Sequence, residues 1–355
     1  MRIFVTGGTG FVGSHSVAAF VADGHAVRLL ARTPAKVPQV LGPLGVSLDR
    51  VEVVAGDATD EATVARAMAV CDAVFNCASM VSLRRRDGAA VRHVNERIAA
   101  TVLGSAARLG IDPVVHVSSI SALLPPQAPG GSVDHESPVG SPPGAYMQSK
   151  AAVDAAVRRS GAPVTMTYPT MVIGPHDPTL GEGMATVAAV LRNRVPALPP
   201  GGMEIVDVRD LATVHAAVMV RGAGARRFVV AGTHRAVREL VDDLRRLTGR
   251  RLPAVSVPSG VAEAACRLGE EVQRVIPLPA PVSSAALWVL MLDPRSDDRP
   301  TRDELGVVLR PLDETLADTV RWMAGSGVIS RRQAGRLAHD GAAGHPSVPL
   351  PHPGR

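Results

Sequence analysis

From residue 2 to about 170, short runs of apolar, β-branched residues alternate with longer stretches of helical periodicity. The runs predict strands at Arg2–Thr6, Ala26–Ala31, Val51–Ala55, Ala73–Asn76, Val114–Ser118 and Val164–Thr167. Helices are expected between most of them, among them Phe11–Asp23, Ala89–Leu109 and Ala145–Ser160. Runs such as Pro113–Val117 are apolar without a break, which fits strands covered on both faces. This alternation predicts an α/β fold built on a doubly wound parallel sheet over residues 1–170. Beyond residue 170 strands thin out and Pro-rich joints appear at Pro199–Gly202, Pro253–Pro258 and Pro277–Pro281. A smaller, mostly helical lobe over 171–340, interleaved with the last sheet strands, is the expectation. The stretch Pro125–Gly144, rich in Pro, Gly and Ser, predicts a loop near a site. Ala280–Leu292, the longest apolar stretch, is broken by Pro281 and two serines and is too short to cross a bilayer, so it predicts a buried helix. The tail 341–355 carries four prolines and predicts disorder.

Composition changes this picture little. The 355 residues carry a formal net charge of +5, but acids are interspersed with the basic residues, as over Arg235–Arg251. The one basic run, Arg84–Arg86, reads as a solvated face, so no nucleic-acid partner is expected. Three cysteines, Cys71, Cys77 and Cys266, lack metal-ligand spacing, which predicts reduced thiols, a cytoplasmic setting and no metal. With a strand starting at residue 2, no leader and no membrane partner are expected.

Candidate chemistry begins with Thr6-Gly7-Gly8-Thr9-Gly10-Phe11-Val12-Gly13, between the first strand and first helix. Glycines there let backbone N–H groups approach a pyrophosphate, whose charge the helix N-terminus favours. Gly7, Thr9, Gly10, Phe11, Val12 and Gly13 are therefore candidate dinucleotide contacts. An acid after the second strand would bind the ribose 2′-hydroxyl of NAD, yet no Asp or Glu occurs from Gly24 to Leu48. Arg32 and Lys36 stand there instead, which favours the 2′-phosphate of NADP(H), with NAD(H) as the alternative.

The chain has two tyrosines and, against its many arginines, only two lysines, Lys36 and Lys150. Tyr146 and Lys150 are four apart and would share one helix face. A cation beside a phenol stabilises the phenolate and brings it toward the range useful for proton exchange at neutral pH. Ser118 and Ser119 stand at the end of the fifth strand, where ligands of parallel sheets bind, and a hydroxyl there could hold a substrate carbonyl.

Together these residues resemble the extended short-chain dehydrogenase/reductase superfamily, in its NAD-dependent epimerase/dehydratase branch, over about residues 1 to 250. The likeness includes Gly56-Asp57, Asn76-Cys77-Ala78, Asn95, Tyr146-Met147-Gln148-Ser149-Lys150, Tyr168–Pro175 and Val206–Asp210. It implies a Rossmann-type fold and a catalytic set of Ser119, Tyr146, Lys150 and Asn95. Asp57 and Ala58 would meet the adenine edge, Ala78, Ser79 and Ser118 would line the cofactor channel, and Pro169, Met171 and Val172 would pass beside the nicotinamide. Lys150 would also bind the nicotinamide ribose. Met80, Val81, Leu83, Thr170 and Ile173 are candidate substrate contacts. Tyr168 departs from the pattern, since many relatives have Arg before that proline. The second lobe also lacks the Arg and Asn pattern that holds a sugar nucleotide. Ala78–Leu83 and the missing acid look more like the dihydroflavonol-reductase-like group, which reduces carbonyls on apolar ring or aldehyde substrates with NADPH. The implied activity is hydride transfer between NADP(H) and a carbonyl or alcohol of a small apolar substrate, dihydroflavonol-reductase-like or hydroxysteroid-dehydrogenase-like. A sugar or sugar-nucleotide epimerase or dehydratase, and a non-catalytic NADP(H)-sensing regulator, are the alternatives. Ala89–Leu109 and Ala145–Ser160 would pair across a two-fold axis into a homodimer.

Overall fold

The computed structural model describes residues 1–82, 87–126, 131–273 and 283–338. Leu83, Arg84–Arg86 and the tail 341–355 lie outside the described residues. The chain forms two units: Met1–Thr170, Val208–Gly232 and Arg295–Leu309 make one, while Met171–Asp207, Thr233–Pro294 and the residues from Arg310 make the other.

The apolar runs of the first unit become strands β1 (Arg2–Thr6), β2 (Ala26–Ala31), β3 (Val51–Ala55), β4 (Ala73–Asn76), β5 (Val114–Val117), β6 (Val164–Pro169) and β7 (Arg226–Val230). All pair in parallel, in the order β7-β6-β5-β4-β1-β2-β3. The order reverses between β1 and β4, the switch point at which a ligand crevice opens beyond the carboxyl ends of the strands. Four ends match the pattern-based boundaries, and two differ by pairing. β6 pairs with β5 only as far as Thr167, but β7 carries it on through Tyr168 and Pro169.

One face of this sheet is covered by the helices Phe11–Ala22 and Val208–Ala217, where Phe75 packs edge-on between Phe20 and His215. His215 is held by Ser16 Oγ at 2.8 Å and Thr167 Oγ1 at 3.1 Å, and burial pushes its pKa down to about 3, so it stays neutral. Since side chains alternate along a strand, the next residue, Tyr168, points to the opposite face. There Arg158 of the Ala145–Ser160 helix meets it, and that helix packs against Gly88–Leu109. The stretch expected as an irregular loop is partly ordered: Ser132–Val133 pairs with Arg295–Ser296, and His135 and Ser137 present their carbonyls to Arg227 and Arg158.

In the second unit the strand Gly202–Asp207 pairs parallel to Met171–Ile173 and antiparallel to Thr233–Ala236. Helices Glu182–Leu191, Val237–Thr248, Ser259–Gln273, Ser284–Leu292 and Leu312–Gly325 complete it. The expectation of a buried helix after Pro281 needs correction, because no residue of Ser284–Leu292 is buried. Its described neighbours are mainly Ser259–Gln273 and the Gly202–Asp207 strand, and Ala285–Leu292 are all half-buried.

Candidate active site

Gly7 has a left-handed φ of +75°, and a Cβ on it would lie 2.6 Å from the backbone of Cys77 and Ala78. At Gly13 a Cβ would lie 2.2 Å from Gly7 O. The loops after β1 and β4 therefore approach each other closely enough that only glycine fits. Gly10 caps the Phe11–Ala22 helix, and its first turn holds no acid, so Thr9, Gly10, Phe11 and Val12 stand half-exposed at a helix end suited to an anion. Ser118 Oγ is buried with no partner among the described residues. Bare backbone, a helix N-terminus and an unsatisfied hydroxyl fit a dinucleotide at this crevice.

Around it, Arg32 and Lys36 are exposed at the end of β2. Asp57 Oδ1 accepts from Thr59 N at 2.8 Å and Thr59 Oγ1 at 2.7 Å. These bonds, with a smaller contribution from the Arg32 charge, hold the Asp57 carboxyl below the usual range.

A row of polar side chains crosses the switch point beneath these loops. Thr6 Oγ1 donates to Asn76 Oδ1 at 2.6 Å, and Asn76 Nδ2 lies 3.0 Å from His116 Nδ1. Ala78 N–H donates back to Thr6 Oγ1 at 3.3 Å, which ties the β4 loop to β1. Register brings the three together, since Thr6 pairs with Asn76 and Asn76 with His116. Because Asn76 uses its oxygen on Thr6, its amide N–H faces His116 Nδ1, and the His116 proton belongs on Nε2. Burial, with the nearby Lys150 charge, pushes the His116 pKa down to about 3. Sequence reading gave these three residues no role, although each is a polar residue at the end of an otherwise apolar strand.

Tyr146 and Lys150 occupy one face of the Ala145–Ser160 helix, as their spacing predicted, with Lys150 Nζ 5.9 Å from the centre of the Tyr146 ring. Lys150 is buried and donates to Val117 O at 3.0 Å. Burial pushes its pKa down to about 8, which still lies above neutral pH and leaves the amine mainly protonated there. Cys77 beside it is pushed up to about 12 by burial and stays a thiol. Ser119, one residue past the buried end of β5, accepts from Ser121 N at 3.3 Å and Ser121 Oγ at 3.0 Å. Its own hydroxyl hydrogen remains as a donor.

Asn95 is used differently from the other three. Its Oδ1 accepts from Met80 N at 2.7 Å and Ser79 Oγ at 3.2 Å, and its Nδ2 donates to Met80 O at 3.1 Å and Ser149 Oγ at 2.9 Å. An amide has two lone pairs and two hydrogens, so its capacity is full. Asn95 thereby ties the loop after β4 to the residue preceding Lys150. Of the candidate substrate contacts, Met80 is half-buried in this loop and Val81 is exposed, while Thr170 Oγ1 donates to Ala231 O at 2.6 Å. Ala58 and Ser79 are half-buried in the same unit, and Pro169 is buried in β6. Met171, Val172 and Ile173 form a strand of the second unit, with Ile173 buried.

The helix face of Tyr146 and Lys150 continues at the same spacing into Asp154 and Arg158. Asp154 is fully buried and accepts from Arg158 Nε at 2.6 Å, while Arg158 Nη2 reaches Tyr168 Oη at 3.4 Å and Nη1 reaches Ser137 O at 2.9 Å. Burial, and then the Asp154 charge, raise the Tyr168 pKa well above its ordinary value. Arg158 therefore supplies from the helix a cation for the buried acid, at the strand position where Tyr168 departs from the family pattern.

A sterol demethylase protein B of Methylococcus capsulatus is 29% identical over 338 residues, covering 93% of this chain and 100% of that protein. A 4-hydroxy-2-methyl-3-oxo-4-farnesyl-3,4-dihydroquinoline-1-oxide ketoreductase of Stigmatella aurantiaca is 28% identical over 345 residues, covering 94% and 100%. The fold is similar to that of a nucleoside-diphosphate-sugar epimerase from Pseudomonas aeruginosa, with a TM-score of 0.74 at 22% identity over 93% of this chain and 99% of that one. The NAD dependent epimerase/dehydratase family profile matches residues 3–231, so the chain belongs to that family.

Proposed function

We propose that the protein is an NADP(H)-dependent oxidoreductase that interconverts a carbonyl and an alcohol on a small apolar substrate. The observation that carries this reading is the Tyr146 phenol on the same helix face as a buried, still cationic Lys150, in a unit where Ser119 keeps a free donor hydrogen. When bound, the nicotinamide supplies the hydride that reaches the substrate carbonyl carbon. Ser119 donates to the carbonyl oxygen and polarises it, and Tyr146 delivers its proton to that oxygen as charge builds there. Lys150, anchored on Val117 O, stabilises the phenolate left behind and orients the ribose. Asn95 acts as a positioning residue, holding Met80 and Ser79 against Ser149. Arg32 and Lys36 select the 2′-phosphate.

The apolar substrate class is supported by the names of the sterol and farnesyl-quinoline relatives, and a homodimer through Gly88–Leu109 and Ala145–Ser160 completes the reading. The test is cofactor consumption with ketosteroids, flavanones, aldehydes and sugar nucleotides, for the wild type and Arg32→Ala. Stoichiometric NADPH oxidation with an apolar carbonyl is expected, and Arg32→Ala should raise the KM for NADPH by about tenfold, the scale of one charge-assisted contact. An equal preference for NADH sinks the cofactor assignment, and purified protein that retains NAD⁺ and turns over sugar nucleotides sinks the reductase.

A further inference from the structure

The polar row of Thr6, Asn76 and His116 runs across three neighbouring strands, and the lengths of its hydrogen bonds fix their direction. Thr6 Oγ1 and Asn76 Oδ1 are 2.6 Å apart, the separation of a hydroxyl donating to a carbonyl oxygen and short for an amide N–H. The Thr6 hydroxyl therefore gives its hydrogen to Asn76, while its oxygen accepts from Ala78 N–H. This leaves the Asn76 Nδ2 hydrogens facing His116 Nδ1 at 3.0 Å, so Nδ1 carries the lone pair. The neutral ring then holds its proton on Nε2, an atom that is buried and has no partner among the described residues. A buried N–H without an acceptor costs free energy, and the row keeps it in place. The ring lies on the side of the sheet that the Ala145–Ser160 helix covers. Val117 pairs with Thr167, whose hydroxyl meets His215 on the other face, so the adjacent His116 points the opposite way. Lys150 of that helix bonds the carbonyl of Val117, the residue after His116, and its charge acts on the His116 ring.

We propose that Thr6, Asn76 and His116 form a tautomer lock for the proton-exchange pair, with His116 a positioning residue for Lys150. An Nε2–H only donates, so the imidazole cannot accept from the ammonium. Lys150 is then anchored on the Val117 carbonyl and keeps its other hydrogens for the Tyr146 oxygen and the cofactor ribose. With the proton on Nδ1 instead, Nε2 would offer the ammonium a lone pair. That bond would draw Lys150 toward the sheet and away from the phenol, and it would stabilise the charged form. The groups facing Lys150 are Tyr146 on its own helix, His116 on β5 and Cys77 from the loop after β4. Cys77 is no rival acceptor, since burial keeps it a thiol, and Asp154, one turn further along the helix, is held by Arg158. His116 takes no proton itself near neutral pH, because burial pushes its pKa down to about 3. The consequence for turnover rests on the reductase reading, whereas the tautomer and the Lys150 titration are properties of the protein without substrate.

The test is ¹⁵N NMR of the full chain without cofactor or substrate, labelled at histidine in one sample and at lysine in another. Lys36 and Lys150 are the two lysines of the chain, so two Nζ signals are expected, and Lys150→Arg assigns them. His116, assigned by His116→Gln, should appear as a neutral Nε2–H tautomer that does not titrate around neutral pH, while Lys150 titrates near pH 8. Thr6→Val keeps the side-chain shape but removes the hydroxyl, which frees Asn76 to turn and His116 to move its proton to Nδ1. The Lys150 midpoint should then rise by about half a unit to one unit, and the alkaline limb of kcat should move up with it. At neutral pH kcat should fall about three- to tenfold with the KM for the carbonyl unchanged. Should Thr6→Val disturb folding, His116→Gln makes the same test without touching the Ala78 loop, since its amide can turn an oxygen toward Lys150. An Nδ1–H tautomer in the wild type overturns the proposal. So does a Lys150 midpoint that stays put in both variants. A wild type that oxidises no NADPH with any carbonyl sinks the reductase reading instead, and the two NMR readouts still decide the lock.

Discussion

Two helices of this protein contradict the simplest rule of burial in opposite directions. The Ala145–Ser160 helix puts Lys150 and Asp154 out of reach of solvent, whereas the Ser284–Leu292 helix, nearly all apolar, buries none of its residues. The difference lies in partners. Lys150 has the Val117 carbonyl and Asp154 has Arg158, so each buried charge has a compensating group, and the neighbouring helix and sheet close over them. An apolar helix needs only a covering surface, and among the described residues Ala285–Leu292 are no more than half-buried. Composition sets what burial would cost or gain, and packing decides whether it happens.

The comparison can be broken first at the phenol. Tyr146→Phe keeps the helix and its packing, and it should lower kcat by about 10²–10⁴-fold with little change in NADPH affinity, read by steady-state kinetics and a binding titration. A variant that keeps near wild-type turnover would move the protein toward a sensing role. The next largest effect is expected at the other end of the same helix face. Asp154→Asn leaves Arg158 without its carboxylate and should cost about 3 kcal/mol, at the low end for a buried pair because the Arg158 side chain is 22% exposed. Urea unfolding measures it, and an unchanged midpoint would show the pair to be idle.

The smallest effect is a pH dependence. The Lys150 pKa is lowered from 10.5 to about 8, so raising the pH through about 8 removes the cation, and kcat should fall on that limb in the wild type. Lys150→Arg, which keeps its proton, should lose the limb whatever its absolute rate. Stability runs the other way: the cost of burying the ammonium is fully present below pH 8 and is relieved as pH rises from 8 to 10.5, because the unfolded chain then binds more protons. A melting temperature that falls more steeply in wild type than in Lys150→Met across that window would contradict the assignment.

Much of the candidate site was legible because its signals are local. The glycine turn needs backbone without side chains, which is written as Gly7, Gly10 and Gly13, and a shared helix face is written as the four-residue step from Tyr146 to Lys150. The polar row was not legible. Thr6, Asn76 and His116 lie 70 and 40 residues apart in sequence, and only strand order and register make them neighbours. Asn95 was legible as a site residue, but its four bonds to Ser79, Met80 and Ser149 depend on how two helices and a loop meet. Arg158 was invisible as the partner of Tyr168 for the same reason, since helix and strand come together only in the packed unit.

By itself, then, the sequence determined the alternation of strand and helix, the dinucleotide turn, the absence of an acid after β2, and the Tyr146–Lys150 spacing. These are properties of neighbours within one turn or one strand, where sterics and periodicity act directly. Tertiary structure alone decided that Lys150 is desolvated to a pKa of about 8 and that Asn95 holds a loop. It also decided that the most apolar helix is no more than half-buried among the described residues, because desolvation and coverage depend on every element packed around a residue.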